Sequence, residues 1–137
     1  MSVFEKIIKR ELPAHIVYED ELTLAFLDIS QATKGHTLVI PKKRYQNVFE
    51  LDKEIAGHLF KVVVKVSKAL KKAFNLKGLN IVNNNGEIAY QQVFHYHIHL
   101  IPRYLDDDYL IKGVNHNKEY SEADFLKLKE KIVASLS

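Results

Sequence analysis

Val93-Phe94-His95-Tyr96-His97-Ile98-His99-Leu100-Ile101-Pro102 places histidine at every second position three times running. A strand sends alternate side chains to opposite faces, so an extended reading puts His95, His97 and His99 on one face and Tyr96, Ile98 and Leu100 on the other. A helix would scatter them. The apolar side then faces a core and the imidazole side faces a cleft or solvent, as in a sheet covered on one face. A lone histidine on such a face is usually a solvated polar residue. Three in register, ended by Pro102, point to chemistry.

Two kinds of chemistry suit a row of imidazoles. Neutral imidazole is a common zinc ligand, yet alternate positions lie about 6.6 Å apart along a strand, which separates His95 from His99 by about 13 Å. Two rings converge on one ion more readily than three, and a carboxylate ligand would have to come from elsewhere. A neutral imidazole nitrogen is also a nucleophile toward phosphorus or carbonyl carbon, and it leaves readily afterwards. One ring then attacks, a neighbour fixes its tautomer, and another stays near the leaving group. The residues alone leave both chemistries open.

Outward from this stretch, Leu79 to Val82 reads as a strand and Asn83-Asn84-Asn85-Gly86 as a turn. Before them, Ile55, Leu59, Val62, Val66, Leu70 and Ala73 recur at spacings of three and four, which predicts a helix over Lys53 to Phe74. Lys61, Lys65, Lys68 and Lys72 occupy its other face as a solvated stripe, because no aromatic residues interleave with them as a nucleic-acid track would need. Gly35 to Pro41 is a strand entered from a glycine hinge. His15 to Glu19 and Leu22 to Asp28 are two strands around the acidic turn Glu19-Asp20-Glu21. Asp28, closing an apolar strand, is either a turn residue or a ligand for hydroxyls. Ser2 caps a short helix carrying Phe4, Ile7 and Ile8 that stops before Pro13, and Ser121 caps a last amphipathic helix with Phe125, Leu128 and Ile132. His15, His58 and His116 have no motif around them and read as surface or packing residues.

These elements predict an α+β fold in one domain over residues 1–137: an antiparallel sheet of about five strands with the long helix packed on it, a core over about 4–103, and a C-terminal extension over 104–137. At 137 residues, 47% hydrophobic and 27% charged, the chain can bury a sizeable core. A net charge of +3 suits a small anionic ligand and is too weak to argue for nucleic acid. No cysteine is present, which excludes disulfides, thiolate zinc knuckles and a cysteine nucleophile. Neither a signal-like apolar block nor a membrane-length segment occurs, so a cytoplasmic protein is expected.

His95-Tyr96-His97-Ile98-His99-Leu100-Ile101 resembles the histidine-triad (HIT) signature, in the branch of nucleoside phosphoramidases and bacterial diadenosine-polyphosphate hydrolases. Ile7-Ile8 to Pro13, Tyr18-Glu19-Asp20-Glu21, Ala25-Phe26-Leu27-Asp28-Ile29, Gly35-His36-Thr37-Leu38-Val39-Ile40-Pro41 and Asn83-Asn84-Asn85-Gly86 resemble family segments in the same order. Relatives that transfer nucleotides to sugar phosphates carry glutamine at the third triad position, whereas His99 resembles the hydrolases. The resemblance implies that His97 attacks the α-phosphorus and forms a nucleotidyl-histidine, which water cleaves to a nucleoside monophosphate. It implies that the His95 carbonyl holds His97 Nδ1–H, that His99 contacts phosphate or leaving group, and that His36 is the fourth histidine. Asp28 matches the ligand of the ribose hydroxyls, and Phe4, Ile7, Phe26 and Ile29 match the walls of the base pocket. Asn84 matches the amide at the phosphate end, with Gln91 and Gln92 as further nucleotide contacts.

The implied partners are a purine nucleotide, adenine or guanine alike, and a second copy in a two-fold homodimer, with no nucleic acid and no membrane. No cofactor is required. Many bacterial relatives carry an N-terminal zinc site built on two cysteines; Ser2 and Glu5 stand near those places here, and no zinc is expected. Tyr90 stands where relatives have glycine, and Gln92 where serine or threonine touches phosphate. Two rival readings remain: a zinc hydrolase using His97 and His99, and a nucleotide-binding scaffold with little turnover, hinted at by Tyr90.

Overall fold

Ser2 starts the chain's first helix through a capping box: its hydroxyl accepts from Glu5 N–H, and its own N–H donates to the Glu5 carboxylate. Ser2 and Glu5 thus fix the entry to α1 (Val3–Ile8), whose Phe4 and Ile7 are buried. The computed structural model describes residues 1–136, so Ser137, the end of the predicted extension, lies outside the described residues.

After α1 come β1 (Ile16–Glu19), β2 (Thr23–Leu27), β3 (Thr37–Pro41), α2 (Lys53–Phe74), β4 (Gly78–Val82), β5 (Ile98–Arg103) and α3 (Glu122–Ser135). The five strands form one antiparallel sheet in the order β1-β2-β3-β5-β4. The helix predicted over Lys53 to Phe74 has those bounds, capped by Asp52 and ended by Asn75 in the left-handed region. In the acidic turn, Asp20 accepts from Leu22 N–H, Thr23 N–H and the Tyr18 hydroxyl. His58 of α2 stands 2.8 Å from the same carboxylate and ties the long helix to the hairpin. Burial pushes the Asp20 carboxyl up, but these bonds outweigh it and hold the group at about 2.

The sheet is covered on both faces, not one. α2 lays Leu59, Val62, Val63, Val66 and Leu70 against Ala25, Val39, Tyr96, Ile98 and Leu100. α1 covers the opposite face, where Phe4 and Ile7 meet Leu24, Phe26, Leu38 and Ile40. The continuous apolar runs Leu24-Ala25-Phe26 and Leu38-Val39-Ile40 fit this arrangement, since only strands buried on both sides dispense with polar alternation.

The histidine stretch also departs from expectation, because β5 begins only at Ile98. β3 pairs with it only from Thr37 to Val39, and β4 ends opposite His99. His95 and His97 therefore lie where the chain peels off the ladder, although the alternation persists: Tyr96 joins the α2 side with Ile98 and Leu100. β2 is likewise shorter than its apolar run and ends at Leu27, leaving Asp28 just beyond it. Ser121 caps α3 as expected, but Phe125, Leu128 and Ile132 stay exposed along it. No helix among the described residues is long and apolar enough to cross a membrane.

Gly35 makes the turn into β3 at φ +94°, and a β-carbon there would stand 3.1 Å from the Phe74 ring and 3.3 Å from Pro102. Gly35→Ala combines left-handed strain with a clash, so the melting temperature is expected to fall by about 5–10 °C. Scanning calorimetry checks this.

Candidate active site

The site assembles on the α1 face, at the end of β5 where the triad leaves the sheet. His95 is fully buried, and its Nε2–H donates to the Pro41 carbonyl at the end of β3 (2.8 Å). That bond leaves Nδ1 as a buried acceptor with no partner among the described residues. Anchored there, the His95 main-chain carbonyl faces His97 Nδ1 at 2.7 Å. A carbonyl only accepts, so His97 carries its proton on Nδ1 and keeps its lone pair on Nε2. The Phe4 ring makes a T-shaped contact with the same imidazole, with centroids 5.0 Å apart.

A second relay fixes His99. Ala32 N–H donates to His36 Nδ1 (3.2 Å), which leaves the His36 proton on Nε2. His36 Nε2–H meets His99 Nδ1 at 2.9 Å, and His99 in turn keeps its proton on Nε2. The adjacent rings His97 and His99 thus present opposite functions, a lone pair from one and an N–H donor from the other.

Burial lowers the pKa of His36, His95 and His97, and for His99 burial together with the neighbouring His97 and His36 pushes it down to about 4. With each pKa held below the ordinary imidazole value, all four rings are neutral at neutral pH. The unfolded chain binds protons on these rings below about pH 6.5, whereas the folded chain resists until lower pH. The histidine contribution to stability is therefore complete above the ordinary imidazole pKa and is expected to be lost as pH falls from about 6.5 toward 4. Asp20 and Asp108, both held at about 2, give a separate loss only below the ordinary carboxylate range. Urea midpoints measured across both windows should resolve two stages.

His97 and His99 line a cavity of about 430 Å³ together with Val3, Phe4, Asp28, Ile29, Leu38, Asn84, Tyr90 and Gln92. Asp28 takes the turn role, its Oδ1 accepting Ser30 N–H, while its Oδ2 stands 3.6 Å from His36 Nε2 and the residue lines the cavity. Ile7 and Phe26 line an adjoining apolar cavity of about 280 Å³ that shares Val3, Phe4, Asp28, Ile29 and Leu38 with the first. Ile29 belongs to both walls yet is 91% exposed, a lip more than a packed wall. His36 and His95 act from behind the cavity and do not line it.

Gln91 is the one expected nucleotide contact that is turned away. Its Oε1 accepts Gly86 N–H and its Nε2 donates to the carbonyls of Gln46 and Val93, so its amide is consumed inside the loop. The sequence reading missed Asn83, which reads as a turn residue but donates from Nδ2 to the His97 carbonyl at 2.9 Å. Asn85 Nδ2 donates to Asn83 Oδ1, and Asn85 Oδ1 accepts Val48 N–H, so a chain of amides braces the triad. Repeated asparagines were the available signal, and turn chemistry explains them equally well.

One grouping among the described residues has the spacing of a cation site: Asp28, His36 and His99 offer donor atoms within 4.8 Å of one another. Two nitrogens bound tetrahedrally at about 2.0 Å would stand about 3.3 Å apart. The 2.9 Å approach of His36 to His99 instead suits a hydrogen bond, and His97 is outside the group.

Comparison with known proteins bears on the same stretch of chain. The HIT domain matches residues 9–106. Protein hit of Bacillus subtilis is 47% identical over 136 residues, covering 98% of this chain and 94% of the relative. The crystal structure of a HIT family protein from Bacillus anthracis superposes with a TM-score of 0.95 at 49% identity, covering 99% of this chain and 97% of that one. Adenosine 5'-monophosphoramidase hnt1 of Schizosaccharomyces pombe is 42% identical over 101 residues, covering 74% of this chain and 73% of the relative. Shared fold, near-complete coverage and the domain match across the triad agree, and this chain belongs to the HIT family.

Proposed function

We propose that this chain hydrolyses nucleoside phosphoramidates or dinucleoside polyphosphates at the α-phosphorus, through a nucleotidyl-histidine at His97, to give a nucleoside monophosphate. The observation that carries the reading is the 2.7 Å bond from His97 Nδ1–H to the His95 carbonyl. It leaves Nε2 as the free nucleophilic atom of a ring that lines a cavity, with His99 Nε2–H beside it. The similarity to an adenosine 5'-monophosphoramidase supports the substrate class.

The nucleoside enters with its base in the apolar end shared by the two cavities and its ribose hydroxyls on Asp28. The α-phosphate then lies between His97, His99, Asn84 and Gln92. His97 Nε2 forms an N–P bond as the bond from phosphorus to the departing amine or phosphate breaks, and the departing group takes a proton from solvent. Water next attacks phosphorus, the N–P electron pair returns to Nε2, and the water's proton passes to solvent. Throughout, the His95 carbonyl holds Nδ1–H and stabilises the charge on the substituted ring. Donors around the phosphoryl oxygens suffice for a loose transition state dominated by positioning.

Rapid quenching during turnover of a labelled adenosine phosphoramidate, with and without chelator, tests the reading. Chelator-resistant release of the monophosphate with label trapped on His97 is expected. Chelator-sensitive turnover would transfer the chemistry to a metal, and monophosphate binding without turnover would leave a nucleotide-binding scaffold. The same reading takes the protein as a homodimer, which the exposed apolar residues of α3 and of the edge strand β4 favour.

A further inference from the structure

Tyr90 combines three features that neither the fold nor the attacking histidine requires. It lines the cavity, the residue is 83% exposed, and its backbone sits in the left-handed region at φ +69°. A non-glycine residue held there carries strain, and persists only where its surroundings over-determine it. The surrounding loop does so: Gln91 N–H donates to the Gly86 carbonyl while Gly86 N–H donates to Gln91 Oε1, and Tyr90 N–H closes on the Glu87 carbonyl. The loop is clasped at both ends and presents an aromatic ring at its corner.

The position of that ring along the cavity decides what it can touch. Val3, Phe4, Asp28, Ile29 and Leu38 are common to both cavities and mark the nucleoside end, whereas Tyr90 lines only the cavity that holds His97, His99, Asn84 and Gln92. An in-line displacement at His97 sends the departing group away from the nucleophile, and with the nucleoside end filled, the part of the cavity that Tyr90 lines is the remaining space for it.

We infer that Tyr90 determines specificity for the departing half of the substrate, its ring stacking on a leaving group that carries a flat aromatic ring. This rests on the α-phosphorus hydrolysis proposed above. An aryl-alkyl amine and the second base of a dinucleoside polyphosphate share that chemistry, each carrying a π-face on the departing half.

The test compares adenosine 5'-phosphoramidates of tryptamine and of propylamine, with diadenosine tetraphosphate as a third substrate, in wild type, Tyr90→Gly and Tyr90→Phe. The wild type is expected to favour the aromatic amine over the aliphatic one by about ten-fold or more in kcat/KM, mostly through KM. Tyr90→Gly should erase that preference and Tyr90→Phe should keep it, the ratio of kcat/KM for the two amine substrates being the readout. Loss for diadenosine tetraphosphate alone would assign the platform to a second nucleobase, and loss for tryptamine alone to a small amine. Glycine suits a positive φ, so Tyr90→Gly should melt no lower than wild type, which separates the effect from misfolding. An unchanged preference in Tyr90→Gly, or equal loss in both variants, would overturn the stacking role while leaving the hydrolysis intact. Absence of monophosphate from every substrate in the wild type would overturn the hydrolysis and the inference together.

Discussion

His97→Ala is expected to lower kcat/KM for a nucleoside phosphoramidate by at least about 10⁴-fold, the scale on which loss of a covalent nucleophile is felt. No neighbour can replace it. His95 has committed Nε2 to Pro41, and its bare Nδ1 is buried away from the cavity. His99 presents an N–H to the cavity, because Nδ1, its acceptor, is already turned to His36. His97→Gly leaves a ring-sized opening beside Phe4 and should regain part of the rate with added imidazole, which occupies the vacated space as an external nucleophile. Circular dichroism on both variants separates lost chemistry from lost structure. Residual activity within ten-fold of wild type would exclude His97 as the attacking group.

The second large effect is expected at His99. Removing one donor from a site where negative charge develops typically costs about 10²–10³-fold in kcat, and His99→Ala should fall in that range. His36→Ala should cost less, about ten-fold, because it removes the lock on the tautomer and not the donor itself. His36 acts through His99, so the double variant should resemble His99→Ala alone instead of multiplying the two losses. Nitrogen chemical shifts of the His99 ring should report Nε2–H in the wild type and a mixture of tautomers in His36→Ala. A multiplicative double variant would show that His36 reaches the substrate independently.

Much of this arrangement was legible in the sequence, and the failures share a cause. Apolar period located α2 to the residue, because an amphipathic helix records its own environment along its length. The alternation of His95, His97 and His99 correctly kept them on one face, yet it could not reveal that the ladder stops at Ile98, since pairing depends on where β3 and β4 end. The cover over the second face was missed because α1 is six residues long and meets strands far along the chain. Gln91, Asn83 and Asn85 show the limit at the site. An amide in a loop has the same letter whether it touches phosphate, clasps its own turn or braces a carbonyl, and only three-dimensional placement tells these apart. In the sequence Asp28 fits a turn residue or a ligand equally, and the fold gives its two oxygens separate surroundings.

The neutral imidazoles carry a further consequence, for how substrate arrives. No lysine or arginine lines the cavity among the described residues, and Asp28 is the one acidic residue in its wall. The net positive charge that suggested an anionic ligand lies largely elsewhere, with Lys61, Lys65, Lys68 and Lys72 on the exposed side of α2, across the sheet from the triad. Long-range attraction therefore does little to draw an anionic nucleotide into this pocket, and a carboxylate inside it opposes the approach. Capture relies on contacts that act only at van der Waals and hydrogen-bond range. Such encounters are governed by fit and desolvation, so the counterion atmosphere that slows strongly steered phosphate-binding proteins has little hold on this one.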